Sequence, residues 1–247
     1  MSLNLIRNRR PLVHCITNTV VTNFSANGLL AVGASPIMAD ALEEIEEIVQ
    51  ISDCLLVNIG TLHERTASAM NAAIDAAARK GIPVVLDPVG AGASRYRLET
   101  VRQFLEKNAV TLIRCNAGEL AAIAGVDWNA KGVDSGSGDA DIEPIARDVA
   151  ARYNSFVIVT GEADILTDGQ SVIRVHGGHE KITRITGTGC LLSALCAAVL
   201  ASTKEPLRGL EGLLADYKKA AERALAPIGT YQVQFLDELE RLSEVAS

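Results

Sequence analysis

Five consecutive residues, Thr186-Gly187-Thr188-Gly189-Cys190, stand ahead of the apolar run Leu191-Leu192-Ser193-Ala194-Leu195-Cys196-Ala197-Ala198-Val199-Leu200. Paired glycines let a ligand approach the main chain closely. The first turn of a helix leaves N–H groups unpaired at the positive end of its dipole. Such a turn suits phosphate, held by Gly187, Thr188 and Gly189, and a side chain at position 187 is expected to fill the phosphate's space. Cys190 stands at the mouth of the cradle, where its sulfur could touch a group attacking phosphorus. A glycine turn leading into a core helix with a buried cysteine accounts for the pentapeptide equally well.

Charged residues follow a second pattern. Asp87 closes the run Val84-Val85-Leu86 and precedes Pro88-Val89-Gly90. A carboxylate is thereby set at the carboxyl end of a buried strand, where open α/β sheets collect ligands. There it can hold Mg²⁺ through water, or it is a turn-forming Asp before proline. Glu119, in Arg114-Cys115-Asn116-Ala117-Gly118-Glu119, follows another strand, and a first-turn glutamate also favours the helix dipole. Arg114 offers a fork of donors suited to phosphate oxygens, although taken alone it reads as a surface charge. Asn18, Thr19, Asn23 and Asn27 crowd the end of the first strand, lining a small polar pocket or capping a helix. Met38, in Ser35-Pro36-Ile37-Met38, can press on a flat heterocycle or pack in the core.

Several other chemistries are excluded. The chain contains no G-x-x-x-x-G-K-[ST] loop and no G-x-S-x-G elbow. Gly90-Ala91-Gly92 and Gly187-Thr188-Gly189 lack the third glycine of a dinucleotide fingerprint, having Arg95 and Leu192 in its place. His176 and His179 have no third and fourth ligand at zinc spacing. The net charge of −7 provides no basic stripe for nucleic acid.

These residues must be held by regular elements. Strand-length apolar segments at 12–17, 35–39, 54–59, 83–87, 111–115 and 156–160 alternate with helical spacing at 18–32, 41–52, 62–80, 95–107, 117–124 and 142–153. That alternation predicts an α/β fold, a mostly parallel sheet with helices on both faces, formed by one domain over 1–247. Asp40, Asp53 and Asn116 are candidate caps or turn formers. Segments 165–167 and 171–175 flank Asp168-Gly169, which favours a tight antiparallel hairpin, and everything after Cys190 reads as helix. The polar, glycine-rich stretch 125–143 reads as a mobile surface excursion. With 48% hydrophobic but only 4% aromatic residues, the core must be built from Ala, Val, Leu and Ile. Five scattered cysteines, an uncleavable start and no apolar run long enough to span a bilayer predict a cytoplasmic protein without membrane segments.

The whole constellation resembles the hydroxyethylthiazole kinase family of thiamine salvage, within the ribokinase-like superfamily. The resemblance is carried by Cys15-Ile16-Thr17-Asn18, Ser35-Pro36-Ile37-Met38, Leu86-Asp87-Pro88-Val89-Gly90-Ala91, Asn116 with Glu119, Lys131-Gly132-Val133-Asp134-Ser135, Val159-Thr160-Gly161, Thr186-Gly187-Thr188-Gly189-Cys190 and residues 232–236. It implies ATP as co-substrate, Mg²⁺, a thiazole alcohol as acceptor, and a homotrimer with active sites between neighbouring subunits. By the same resemblance Met38 and Gly187 contact the thiazole, Arg114 and Thr160 the nucleotide, and Asp87 and Glu119 organise Mg²⁺. Cys190 takes the place of the superfamily's usual aspartate base, as a weak base or an orienting group. The pattern departs at Cys115 and Gly118, where a glycine and a small hydroxyl residue are expected. Rival readings are another small-alcohol kinase such as one for hydroxymethylpyrimidine, a non-catalytic thiazole-binding trimer, and an acyl hydrolase using Cys190 with His179.

Overall fold

The computed structural model describes residues 2–126 and 142–245. Each strand reaches its parallel neighbour through a helix. Helix α1 (Ser2–Arg9) leads to β1 (Leu12–Ile16), α2 (Thr22–Ala31), β2 (Ser35–Ile37), α3 (Ile45–Ile51) and β3 (Cys54–Asn58). Next come α4 (Glu64–Lys80), β4 (Val84–Asp87), α5 (Arg95–Glu106), β5 (Leu112–Asn116) and α6 (Ala117–Ala124). The stretch expected as a surface excursion falls largely on residues 127–141, outside the described residues. Helix α7 (Ile142–Tyr153) is followed by β6 (Phe156–Thr160), β7 (Asp164–Thr167) and β8 (Val172–Val175), and then by α8 (Thr188–Leu200), α9 (Pro206–Arg223) and α10 (Ile228–Glu244).

One eight-stranded sheet results, in the order β2-β1-β3-β4-β5-β6-β7-β8. Strands β1 to β6 run parallel, while β7 pairs antiparallel with β6 and β8 antiparallel with β7. The expected hairpin turns at Asp168, whose Oδ1 accepts from the N–H groups of Gln170 and Ser171. Helices α1, α2, α8, α9 and α10 cover one face, and α3 to α7 the other.

Strand periodicity decides which side chains meet α8, because successive residues leave the sheet on opposite faces. Leu56 of β3, Val85 of β4, Leu112 of β5 and Ile158 of β6 pack in the α8 layer, and their neighbours in the other. Counting on by two places Asn58, Asp87, Arg114 and Thr160 beneath α8, near the carboxyl ends of four adjacent strands. Helix α8 is apolar all round, and every residue from Leu191 to Leu200 is buried, as befits a helix covered on every side. Helix α2 packs tightly against it because Gly28 has no side chain; a Cβ there would lie 2.3 Å from Leu191 Cδ1.

Local departures from the sequence expectations have identifiable causes. The second helix starts at Thr22, because Asn18 opens a turn and its carbonyl accepts from Thr22 Oγ1. Asn116 caps α6, whereas Asp53 accepts the Leu12 N–H at the head of β1 and Asp40 lies ahead of the turn into α3. The carboxyl-terminal helical stretch is divided where Pro206 begins α9 and Pro227 precedes α10. Among the described residues no helix is long and apolar enough to cross a membrane.

Candidate active site

The turn at Gly187 opens α8 over the carboxyl ends of the central strands. Gly187 is the N-cap at φ 88°, with no side-chain cap bond. Among the described residues no acceptor takes the N–H groups of Thr188, Gly189 and Cys190, so three donors point out of the helix start. Thr188 is pinned from behind. Its hydroxyl donates to the Ile182 and Ile185 carbonyls, and its own carbonyl accepts from Tyr217 Oη at 2.6 Å.

The glycines are required for reasons that the bare motif does not show. A Cβ on Gly187 would stand 2.6 Å from Val21 Cγ1 and 3.2 Å from Phe24 Cδ1. Its first obstacle is therefore α2 and the turn before it, not a phosphate. A Cβ on Gly189 would stand 2.6 Å from Arg114 Nη1. The missing side chain is what lets the guanidinium lie against the helix start.

Arg114 and Asp87 form the charged centre. Arg114 Nη2 donates to Thr160 Oγ1 at 2.6 Å, and Nη1 faces Asp87 Oδ1 at 3.8 Å. Among the described residues Asp87 Oδ1 and Arg114 Nε have no hydrogen-bond partner. Asp87 Oδ2, in contrast, accepts from Asn58 Nδ2 and Ser193 Oγ, both at 2.8 Å. Burial pushes the Asp87 carboxyl up to about 6; Arg114 pulls it down, Glu119 pushes it up, and the two donors pull it down. Cys190 is half-buried, and burial followed by the nearby Asp87 charge raises its thiol above the ordinary value.

Glu119 performs the helix-capping role that its position allows. Its Oε2 accepts the Asn116 N–H at 2.9 Å, Asn116 Oδ1 accepts the Glu119 N–H at 2.9 Å, and Oε1 reaches across to the Gly90 N–H at 2.8 Å. The β4 and β5 loops are thereby joined. The departures at Cys115 and Gly118 leave this turn regular, since Cys115 is buried in β5 and a Cβ on Gly118 would make only an ordinary contact with Asn116 Oδ1.

Arg114, Thr160, Thr188 and Gly189 line a cleft of about 710 Å³, walled further by Asp164, residues 176–180, Tyr217 and Lys218. Met38 does not line it. It follows the short strand β2 at the sheet edge, half-buried against the α8 layer. His179 lies in the cleft wall, but its Nδ1 accepts the Lys181 N–H and so caps a 3₁₀ turn.

Residues that the sequence reading did not single out complete the site. Asn58 and Ser193 grip Asp87, and Lys218 pairs with Asp164 at 3.3 Å in the cleft wall. The available signal was an amide closing an apolar strand and a hydroxyl inside an otherwise apolar helix. Of the amides near β1, Asn18 turns inward to Asn58, while Asn23 and Asn27 bond each other on the exposed face of α2.

The mostly parallel sheet, with a helix start and a cleft over its carboxyl edge, defines the ribokinase-like fold. A ribokinase-like superfamily protein from Enterococcus faecalis superposes with a TM-score of 0.70 at 11% identity, covering 99% of this chain and 96% of that one. The hydroxyethylthiazole kinase protein from Pyrococcus horikoshii superposes with a TM-score of 0.87 at 40% identity, over 97% of this chain and 91% of that one. The model of the hydroxyethylthiazole kinase family matches residues 3–245. A hydroxyethylthiazole kinase of Lysinibacillus sphaericus is 54% identical over 247 residues, covering 99% of this chain and 97% of the relative. The chain belongs to the hydroxyethylthiazole kinase family, and as a kinase it uses ATP as co-substrate.

Proposed function

We propose that the protein transfers the terminal phosphoryl group of ATP to the primary hydroxyl of 4-methyl-5-(β-hydroxyethyl)thiazole, in thiamine salvage. The observation that carries this reading is the convergence of three unpaired α8 N–H groups with Arg114 and Asp87 Oδ1 beside the 710 Å³ cleft. Unpaired donors with a guanidinium packed beside them match a phosphoryl group whose equatorial oxygens carry the charge.

In this reading Arg114 and Thr160 bind the nucleotide, and Gly187, Thr188 and Gly189 cradle the migrating group. The hydroxyl oxygen forms a bond to the terminal phosphorus as the bond to ADP breaks, and the hydroxyl proton leaves to a phosphoryl oxygen and from there to water. Alignment supplies most of the rate, because the loose transition state asks little of a base. Cys190 then orients the hydroxyl. Met38 and Gly187 hold the thiazole ring, in a homotrimer whose sites form between subunits, in the cytoplasm.

Asp87 would hold Mg²⁺ through its open Oδ1, and Glu119 through lone pairs beyond those that accept the Asn116 and Gly90 N–H groups. The buried Asp87 Oδ1 has unused lone pairs, and hard carboxylate oxygens near substrate phosphates suit an ion that keeps most of its waters. When bound, the ion would neutralise charge on the phosphate oxygens.

Purified protein with Mg²⁺, ATP and the thiazole alcohol should release ADP in step with phosphorylated thiazole. Preference for a hydroxymethylpyrimidine would overturn the acceptor. Binding without ADP release would overturn the kinase, and a solution mass other than three chains would overturn the trimer.

A further inference from the structure

Between the carboxylate and the thiol lie two buried amides whose directions are forced. Asn58 ends β3 in register with Asp87, the last residue of β4, so the two side chains leave the sheet side by side. The Gly60 N–H can only donate, and it meets Asn58 Oδ1 at 3.0 Å. The amide oxygen is therefore turned toward Gly60, and Nδ2 toward Asp87. With Asn58 Nδ2 and Ser193 Oγ both donating to Oδ2, only Oδ1 of Asp87 is left to face a ligand.

The same amide governs the other side of the site. Asn58 Oδ1 also accepts from Asn18 Nδ2 at 2.9 Å, and that nitrogen reaches Cys190 Sγ at 3.5 Å. Asn18 can lie there because its neighbour is glycine; a Cβ on Gly60 would stand 2.7 Å from Asn18 Nδ2. Asn58 is 1% exposed and Asn18 5%, so a lost bond is not readily replaced by water.

We infer that Asn58 is a positioning residue for phosphoryl transfer, donating to Asp87 Oδ2 so that Oδ1 faces the phosphates, and anchoring Asn18 so that Cys190 is set against the acceptor. This role rests on the kinase reading of the site. Asn58 touches no reacting atom, so its loss acts through geometry and is felt in kcat rather than in substrate binding.

Asn58→Asp tests the role. It keeps the shape and the acceptor facing Gly60 and Asn18, and replaces the donor facing Asp87 and Cys190 with a second carboxyl oxygen. Ser193→Ala removes the second donor from the same oxygen. Steady-state kinetics of the full chain should show kcat lowered about 30-fold in Asn58→Asp and about fivefold in Ser193→Ala, with both KM values within about threefold of wild type.

Calorimetry gives a readout independent of turnover. ATP affinity measured with EDTA should stay within about twofold of wild type in the charge-neutral Ser193→Ala, while the gain conferred by Mg²⁺ shrinks about fivefold. Wild-type kcat in Asn58→Asp overturns the inference, as does a fall in melting temperature accompanied by equal damage to kcat and both KM values. Should Asn58→Asp not fold, the kinetic pattern of Ser193→Ala decides the matter. A wild-type protein that releases no ADP would instead overturn the kinase reading, so the two failures are distinguishable.

Discussion

Gly189 and Arg114 occupy one another's space: a single methyl group on Gly189 would stand 2.6 Å from Nη1, 2.9 Å from Nη2 and 3.0 Å from Cζ of Arg114. The guanidinium, held by Thr160, lies against the first turn of α8. Helix donors and arginine donors are thus brought side by side, where the proposed function puts the migrating phosphate. Gly189→Ala should force the guanidinium out of this seat while leaving the helical backbone unstrained. Loss of one aligned donor to a developing phosphoryl charge lowers kcat by about 10²-fold. Circular dichroism and melting temperature should stay close to wild type, and a kcat close to wild type would show that Arg114 is free to move.

Gly187→Val should fail differently. The residue sits at φ 88°, which L side chains rarely adopt, and its Cβ would run into Val21 and Phe24. Left-handed backbone costs about 1–2 kcal/mol at a non-glycine residue, and the clash with α2 adds to it. The expected outcome is loss of stability together with loss of activity, read as a lower urea midpoint. An unchanged midpoint would show that the turn relaxes away from α2.

The contrast between these glycines marks how far the sequence alone could be read. All eight strands are recognisable from it, because each is a short apolar run ending in a turn former. The paired glycines likewise announce a helix start. What could not be read is which obstacle each glycine avoids, because Val21 and Arg114 reach α8 only through tertiary packing. Asn58 was hidden for a similar reason. Its meaning depends on the register of β3 with β4, which no local pattern fixes. Met38 lies at the sheet edge, outside the cleft, and its contact with the thiazole belongs to the proposed trimer.

Asp87 ties stability to pH with a definite sign. Its carboxyl titrates at about 6 in the folded protein against an ordinary 3.8, chiefly because it is buried. A group that binds its proton more tightly when folded contributes stability below about pH 4, and that contribution is lost as the pH rises through about 6. Asp87→Asn removes the loss. Without nucleotide or metal, the variant should exceed wild type at pH 8 by up to roughly 3 kcal/mol, and the advantage should vanish near pH 4. It should also be inactive. Denaturant titrations across that range check the sign, and a wild-type protein that gains stability between pH 4 and 6 relative to the variant would contradict it.

Cys190 is the remaining candidate for proton transfer, and its surroundings argue against that task. Burial, then the charge of Asp87, holds the thiol above its ordinary value, so sulfur stays protonated at neutral pH. Asn18 Nδ2 approaches the sulfur at 3.5 Å, which leaves the S–H hydrogen free to point toward the acceptor. Serine offers the same donor and acceptor. A true general base contributes about 10²–10⁴-fold, so Cys190→Ser should separate the roles by keeping kcat within about tenfold of wild type. Iodoacetamide gives a second check, because the other four cysteines are buried. Alkylation of the native protein at alkaline pH, where the thiolate forms, should fall on Cys190 alone, abolish turnover by filling the cradle and be slowed by ATP. A kcat loss beyond about 10²-fold in Cys190→Ser would return the residue to the role of base.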